Sequence, residues 1–191
     1  ADGLAGFIVD RFDNVFSCQI STYGAQKLQD FLASALQKIF PNCAIIFRND
    51  AESRRLEGLE LETKIICGEI ANEIIIEENE IKYALNLKEG QKTGWFFDQR
   101  INRDFIAGLS KNKDVLDAFC YQGAFGLNAL NAQAKSVMFI DSSADALKAV
   151  EKNLELNNFD AQKCEIYHEK VFVALEKLAL DHKQFDIVVL D

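Results

Sequence analysis

Histidine, proline and positive charge are all scarce in these 191 residues, and each shortage removes a class of reading. The two histidines, His168 and His182, lie too far from catalytic partners to suggest a pair, and strand-end or surface roles suit them. Five cysteines (Cys18, Cys43, Cys67, Cys120 and Cys164) are odd in number, irregularly spaced and without a CxxC. That pattern argues against a disulfide framework and against a zinc site, so no metal is expected; the thiols read as reduced, small packing residues. No apolar run approaches 18 residues, and Ala1-Asp2-Gly3-Leu4 does not open a signal peptide, so neither a membrane span nor secretion is supported and a cytoplasmic location is expected. The formal charge of -9 and pI near 4.8 have the wrong sign for a self-sufficient nucleic-acid surface. A local basic patch or a separate domain would have to neutralise phosphates.

A hydrophobic share of 49% is enough for a packed core. Phe7–Asp10 and Val15–Ser21 read as a hairpin around Asp13-Asn14. Gly24–Phe40 carries Leu28, Phe31, Leu32, Ala35, Leu36 and Ile39 at helical spacing, and Pro41, the only proline, stops it. Ala44–Phe47 returns as a strand. Asn49–Gly58 is a polar loop or short helix, and Arg48, Asp50, Arg54 and Arg55 are either a solvated cluster or the lining of a substrate path. Ile65–Cys67, Glu73–Glu77 and Ile81–Leu87 are three more short strands, the last two joined by Glu78-Asn79-Glu80. Residues 1–88 thus form a small α+β domain. Asp-Gln-Arg (Asp98, Gln99 and Arg100) then opens a helix running to Leu109.

From Lys113 onward strand and helix alternate: strands 113–119, 136–141, 164–167 and 185–190, helices 124–132, 143–157 and 171–180. Such alternation predicts parallel strands with right-handed crossovers, an α/β Rossmann-like domain over 89–191. In the second of these helices Ser142 with Asp145 resembles a capping box. The first strand, turn and helix, Asp114–Gly126, are where a doubly wound sheet holds its ligand. Asp141 ends the second strand, where a carboxylate can accept both hydroxyls of a ribose, so an adenosine-containing ligand is expected. A dinucleotide would need G-x-G-x-x-G for its pyrophosphate, whereas Phe119-Cys120-Tyr121-Gln122-Gly123 is bulkier, which suits S-adenosylmethionine better.

Asp117-Ala118-Phe119-Cys120-Tyr121-Gln122-Gly123-Ala124-Phe125 resembles the D-x-F-x-Y-x-G-x-F motif of a group of class I RNA methyltransferases. Gly90-Gln91-Lys92-Thr93-Gly94-Trp95-Phe96-Phe97-Asp98-Gln99-Arg100 resembles a second signature of that group, G-Q-K-T-G-F-F-x-D-Q-R. Together, and with Asp2-Gly3-Leu4 and Ile8-Val9-Asp10-Arg11, they are similar to the large-subunit ribosomal RNA cytosine-5 methyltransferases that join a PUA domain, a central α+β domain and a methyltransferase domain. The resemblance implies that Asp117, Phe119, Tyr121 and Gly123 shape an S-adenosylmethionine pocket and that Asp141 holds the ribose. It also implies that Lys92, Thr93, Gly94, Asp98 and Arg100 line the near wall, and that Asp191 is the acid beside the target base.

The sequence departs from the family pattern in three places. Lys170 stands where relatives have an Asp for the adenine amino group, with Glu169 one residue away. The prolines expected after Asp191, and the nucleophilic cysteine of the family beyond them, are not in these residues, and no PUA domain precedes residue 1. The expectation is therefore a fragment truncated at both ends, inactive alone, with ribosomal RNA contacts largely outside it. A parallel sheet ending at the fourth strand would expose the edge at Ile187–Leu190, which a partner or the rest of the chain would cover. A homodimer is left open. The alternatives are a non-catalytic binding module with the same fold, or a ring-nitrogen RNA methyltransferase of the same group.

Overall fold

The computed structural model describes residues 3–90 and 93–191. The chain forms two compact units: Ala1–Ile76 with Leu85–Phe96, and Glu77–Ala84 with Phe97–Asp191.

The first unit holds β1 (Phe7–Phe12), β2 (Val15–Ile20), α1 (Tyr23–Gln26), α2 (Gln29–Ile39), β3 (Ala44–Asn49) and β4 (Glu62–Cys67). Its sheet has the order β1-β2-β3-β4, with β2 and β3 parallel and both outer pairs antiparallel. Every residue of β2 and β3 is buried, and Phe16, Cys18, Ile20, Leu36, Ile45 and Phe47 pack together as a core. The helix expected over 24–40 is two helices. Thr22 caps the first by accepting from the Ala25 amide, and the chain leaves helical geometry around Leu28 before α2 begins. The apolar stripe is also shallower than its periodicity implies: Phe31 is 76% exposed and Ile39 66%, while Ala33 and Leu36 are buried.

Arg48 and Arg54, read as loop charges, are 2% exposed. Arg48 donates to the Leu87 carbonyl at 2.7 Å and to Asp50 at 2.6 Å. Arg54 donates to the carbonyls of Ile20 and Glu60 and to Gln26 Oε1. Backbone carbonyls together with the Asp50 and Gln26 side chains compensate these buried charges, although Arg48 Nε is left without a partner, so the two arginines tie loops to the sheet.

β5 (Ile74–Glu78) and β6 (Ile81–Leu85) form the expected hairpin, and its two turn residues, Asn79 and Glu80, both have positive φ. The segment Glu77–Ala84 belongs with the second unit, which continues as α3 (Arg100–Leu109), β7 (Asp114–Ala118), α4 (Ala124–Asn131), β8 (Ser136–Asp141), α5 (Ala144–Leu156), β9 (Cys164–His168), α6 (Val171–Leu180) and β10 (Ile187–Leu190). The four strands pair in parallel in the order β10-β7-β8-β9, as the alternation predicted. β7 and β8 are central and almost wholly buried. Leu116, Ala118, Met138 and Ile140 meet Val171 and Ala174 of α6 on one face. The cap of α5 is Ser143, one residue beyond the expected Ser142; its hydroxyl accepts from the Ala146 amide at 3.2 Å.

Asn153 of α5 and Asn157, the residue that caps its C-terminus, act as a substitute strand edge. Asn153 Oδ1 accepts from the Ala84 amide at 2.9 Å, while Asn157 accepts from the Lys82 amide at 2.8 Å and donates to the Lys82 carbonyl at 2.7 Å. One turn apart on the helix, they pair with alternate residues of β6, as a neighbouring strand would.

Candidate cofactor site

The site grows from the turn between β7 and α4. Phe119, Tyr121 and Gly123 have φ of 59, 48 and 76°, so every second residue is left-handed. Two of the three carry large side chains, a costly arrangement that folded proteins concentrate at functional turns. Gly123 cannot be replaced in kind, because a Cβ there would sit 2.7 Å from Leu127 Cδ1 and 3.1 Å from Phe139 and Val150 atoms. The turn is tied on both sides. The Cys120 amide donates to the Ile140 carbonyl at 3.1 Å, and Asn153 Nδ2 donates to the Gln122 carbonyl at 3.2 Å.

Asp141, at the end of β8, accepts from the Tyr121 amide through Oδ2 at 2.9 Å and from the Ser143 amide through Oδ1 at 2.8 Å. Both oxygens keep a lone pair for other donors. Asp117 lies two residues deeper, 1% exposed, with Oδ2 accepting from the Gly126 amide at 2.8 Å in the first turn of α4. Its Oδ1 is buried with no hydrogen-bond partner. Burial, then the negative charges of Asp191 and Asp141, push the Asp117 carboxyl up to about 8 against the pull of the Gly126 amide. Cys120 is also buried, and burial first, then Asp117 and Asp141, raises its thiol far above the ordinary range. A thiol held protonated in this way is a packing residue, not a nucleophile.

The other residues singled out in the sequence divide between the two units. Asp191 follows β10 and accepts from Gln99 Nε2 at 3.2 Å. Asp98 lies in a single 3-10 turn, Phe97–Gln99, immediately before α3. Arg100 donates from Nε to Glu78 Oε2 at 3.2 Å, and the same carboxylate accepts from Arg103 Nε at 2.7 Å through Oε1. Thr93 and Gly94 belong to the first unit, where the Thr93 hydroxyl donates to Asp10 and Gly94 takes φ 118° against Leu87 and Phe12. Lys92 lies outside the described residues. Glu169, the candidate stand-in for an adenine-binding acid, accepts from the Lys170 amide at 2.9 Å and from Lys177 Nζ at 2.7 Å.

Two features escaped the sequence reading. Phe172, in the first turn of α6, is 72% exposed and meets Phe119 edge-on, with ring centroids 5.7 Å apart. Its only signal was an apolar side chain just after the third parallel strand. Gly126 was the other: a Cβ there would collide with Phe139 and Val137, so glycine lets α4 lie close on β8.

This parallel sheet, with a carboxylate ending its second strand beside a glycine-closed first turn, is the S-adenosylmethionine-dependent methyltransferase fold. A structure of a provisionally assigned S-adenosylmethionine-dependent methyltransferase from Streptococcus mutans superposes with a TM-score of 0.83 at 22% identity, over 97% of this chain and 48% of that one. A second, a provisionally assigned methyltransferase solved with S-adenosylhomocysteine, gives 0.82 at 22% identity, over 97% of this chain and 47% of that one. The chain is 42% identical along its whole length to Ribosomal RNA large subunit methyltransferase I of Pseudoalteromonas atlantica, covering 48% of that protein. It spans about half the length of the curated relatives it matches. A family profile described as Conserved hypothetical protein 95 matches residues 100–191.

Proposed function

We propose that this chain is the cofactor-binding part of an S-adenosylmethionine-dependent methyltransferase acting on large-subunit ribosomal RNA, with residues 1–88 as its small central domain and 89–191 as the start of its methyltransferase domain. The observation that carries the reading is the Asp141 carboxylate, hydrogen-bonded to the very turn that a ligand must face. Phe119 and Tyr121 occupy that turn where a diphosphate would need bare glycine backbone, which favours a phosphate-free adenosine ligand.

The residues fit this cofactor. Asp141 retains acceptor capacity for ribose hydroxyls, and the buried, unpartnered Asp117 Oδ1 suits a cationic ligand group. The exposed Phe119–Phe172 pair offers aromatic surface to the adenine, replacing the acid that Lys170 displaces. When bound, the cofactor supplies an electrophilic methyl group, and we assign Asp191, which follows β10, as the acid beside the acceptor base.

The acceptor atom we propose is cytosine C5 in the large-subunit RNA. That carbon becomes nucleophilic only after a thiolate adds to C6. Cys120 is buried and protonated, Cys164 begins β9 at the opposite end of the sheet, and Cys18, Cys43 and Cys67 belong to the first unit. The nucleophile would therefore come from the part of the relatives' length that this chain does not span.

The test is transfer of labelled methyl from S-adenosylmethionine to unmodified large-subunit ribosomal RNA by the protein at its full natural length, followed by nucleoside mass spectrometry. 5-Methylcytidine supports the reading; a methyl group on a ring nitrogen corrects the acceptor, and no transfer to any RNA favours a binding module.

A further inference from the structure

Three carboxylates converge at the carboxyl ends of adjacent strands. Ala118 of β7 is in register with Ile140 of β8 and Leu190 of β10, so Asp141 and Asp191 each stand one residue past that level and Asp117 one residue below it. The groups that face Asp117 can be named element by element. Asp141 comes from β8, Asp191 from β10, the Cys120 thiol from the turn, the Gly126 amide from α4 and the Tyr83 hydroxyl from β6. Among the described residues both charges acting on Asp117 are negative, and the Tyr83 phenol is itself held protonated by burial.

An acidic cluster on a surface would simply be hydrated. Here one member is 1% exposed, and one of its oxygens is buried without a partner. A carboxylate so placed beside two others is disfavoured until a positive charge arrives. Protonation is the available compensation in the meantime, because a proton removes the charge at no cost in space.

We propose that the Asp117–Asp141–Asp191 cluster reads the charge of its ligand: Asp117 holds a proton in the unliganded protein and gives it up to solvent when a cationic methyl donor binds. The inference rests on the cofactor reading above and deepens it by naming what the site recognises beyond the adenosine. S-adenosylmethionine brings an ammonium, a sulfonium and a carboxylate and is net positive, whereas S-adenosylhomocysteine has lost the sulfonium and is a net-neutral zwitterion. The donor therefore drives the proton out more completely than the product does. Transfer of the methyl group then weakens the electrostatic hold on what remains, which favours exchange of product for fresh donor.

The experiment is calorimetric titration of the protein at pH 6.5 in two buffers of different ionisation enthalpy, with S-adenosylmethionine and separately with S-adenosylhomocysteine. The buffer dependence of the heat gives the number of protons released. The expected result is close to one proton released with the donor, a smaller fraction with the product, and release abolished in Asp117→Asn. Saturable binding of both ligands with no proton release, or with equal release for the two, overturns the charge-reading role and leaves the cofactor reading standing. Absence of saturable heat with either ligand overturns both. The wild-type comparison of two ligands decides the matter even if Asp117→Asn fails to fold.

Discussion

The Asp141 carboxylate accepts a hydrogen bond from the Tyr121 amide at 2.9 Å, joining the end of one parallel strand to the turn that follows its neighbour. A single side chain thus shapes the turn and presents an acceptor to a ribose. Replacing it should affect both. Asp141→Ala is expected to weaken S-adenosylhomocysteine binding by at least about tenfold, roughly 1.4 kcal/mol. The loss should exceed any fall in thermal midpoint, because the Cys120 and Gln122 backbone ties remain. An unchanged affinity would remove Asp141 from the site.

Gly123 and Gly126 hold the turn against the sheet. Gly123→Ala places a methyl group 2.7 Å from Leu127 Cδ1 in a left-handed conformation, so it should destabilise by about 1–3 kcal/mol. Urea unfolding monitored by circular dichroism measures this. A neutral result would mean that α4 can shift on β8 at little cost.

Glu78 and Arg103 have side chains 1% and 2% exposed, and their pairing also anchors Arg100. Breaking a buried pair from one side strands the other charge, so Glu78→Ala should cost about 3–5 kcal/mol. Glu78→Met combined with Arg103→Met removes both charges and should recover much of that loss. Equal losses in the single and double variants would contradict the assignment.

The raised Asp117 carboxyl has a consequence for stability. The folded state keeps this proton up to about pH 8, whereas the unfolded chain releases it near its ordinary value of 3.8. The folded form therefore binds more protons between those values, and stability falls as pH rises through the window. The unliganded protein should have a higher unfolding midpoint at pH 5.5 than at pH 9, with a flatter profile in Asp117→Asn. The depressed carboxyls Asp114, Asp186 and Glu169 lose their contribution only at more acid pH, so they do not mask the trend.

The exposed Phe119–Phe172 pair gives a further prediction. Phe172→Ala removes an edge-on ring that is 72% exposed, so folding should be little changed. Loss of an aromatic surface beneath a base costs about 1–3 kcal/mol. S-adenosylhomocysteine should bind at least several-fold more weakly, with the thermal midpoint within a degree or two of wild type. Unchanged affinity would exclude this pair as the adenine platform.

Much of the second unit was legible because its signals are local. Val115, Leu116 and Ala118 make a short apolar run around Asp117, Gly123 follows at the right interval, and Asp141 closes the next run. What escaped depends on distant partners. Arg48 and Arg54 look like loop charges until carbonyls from Leu87 and Ile20 arrive to satisfy them. Asn153 and Asn157 look like a polar helix face, and only the edge of β6, some 70 residues earlier in the chain, turns them into a clamp. The division at Leu28 was hidden by an unbroken apolar period, since periodicity records which residues are apolar and not whether anything covers them.

The most direct test of the central claim is calorimetric titration of this protein with S-adenosylhomocysteine. The account predicts saturable binding at one site per chain, with a dissociation constant at or below about 100 µM, roughly −5.5 kcal/mol. No binding heat at millimolar ligand, from protein shown to be folded, would contradict it.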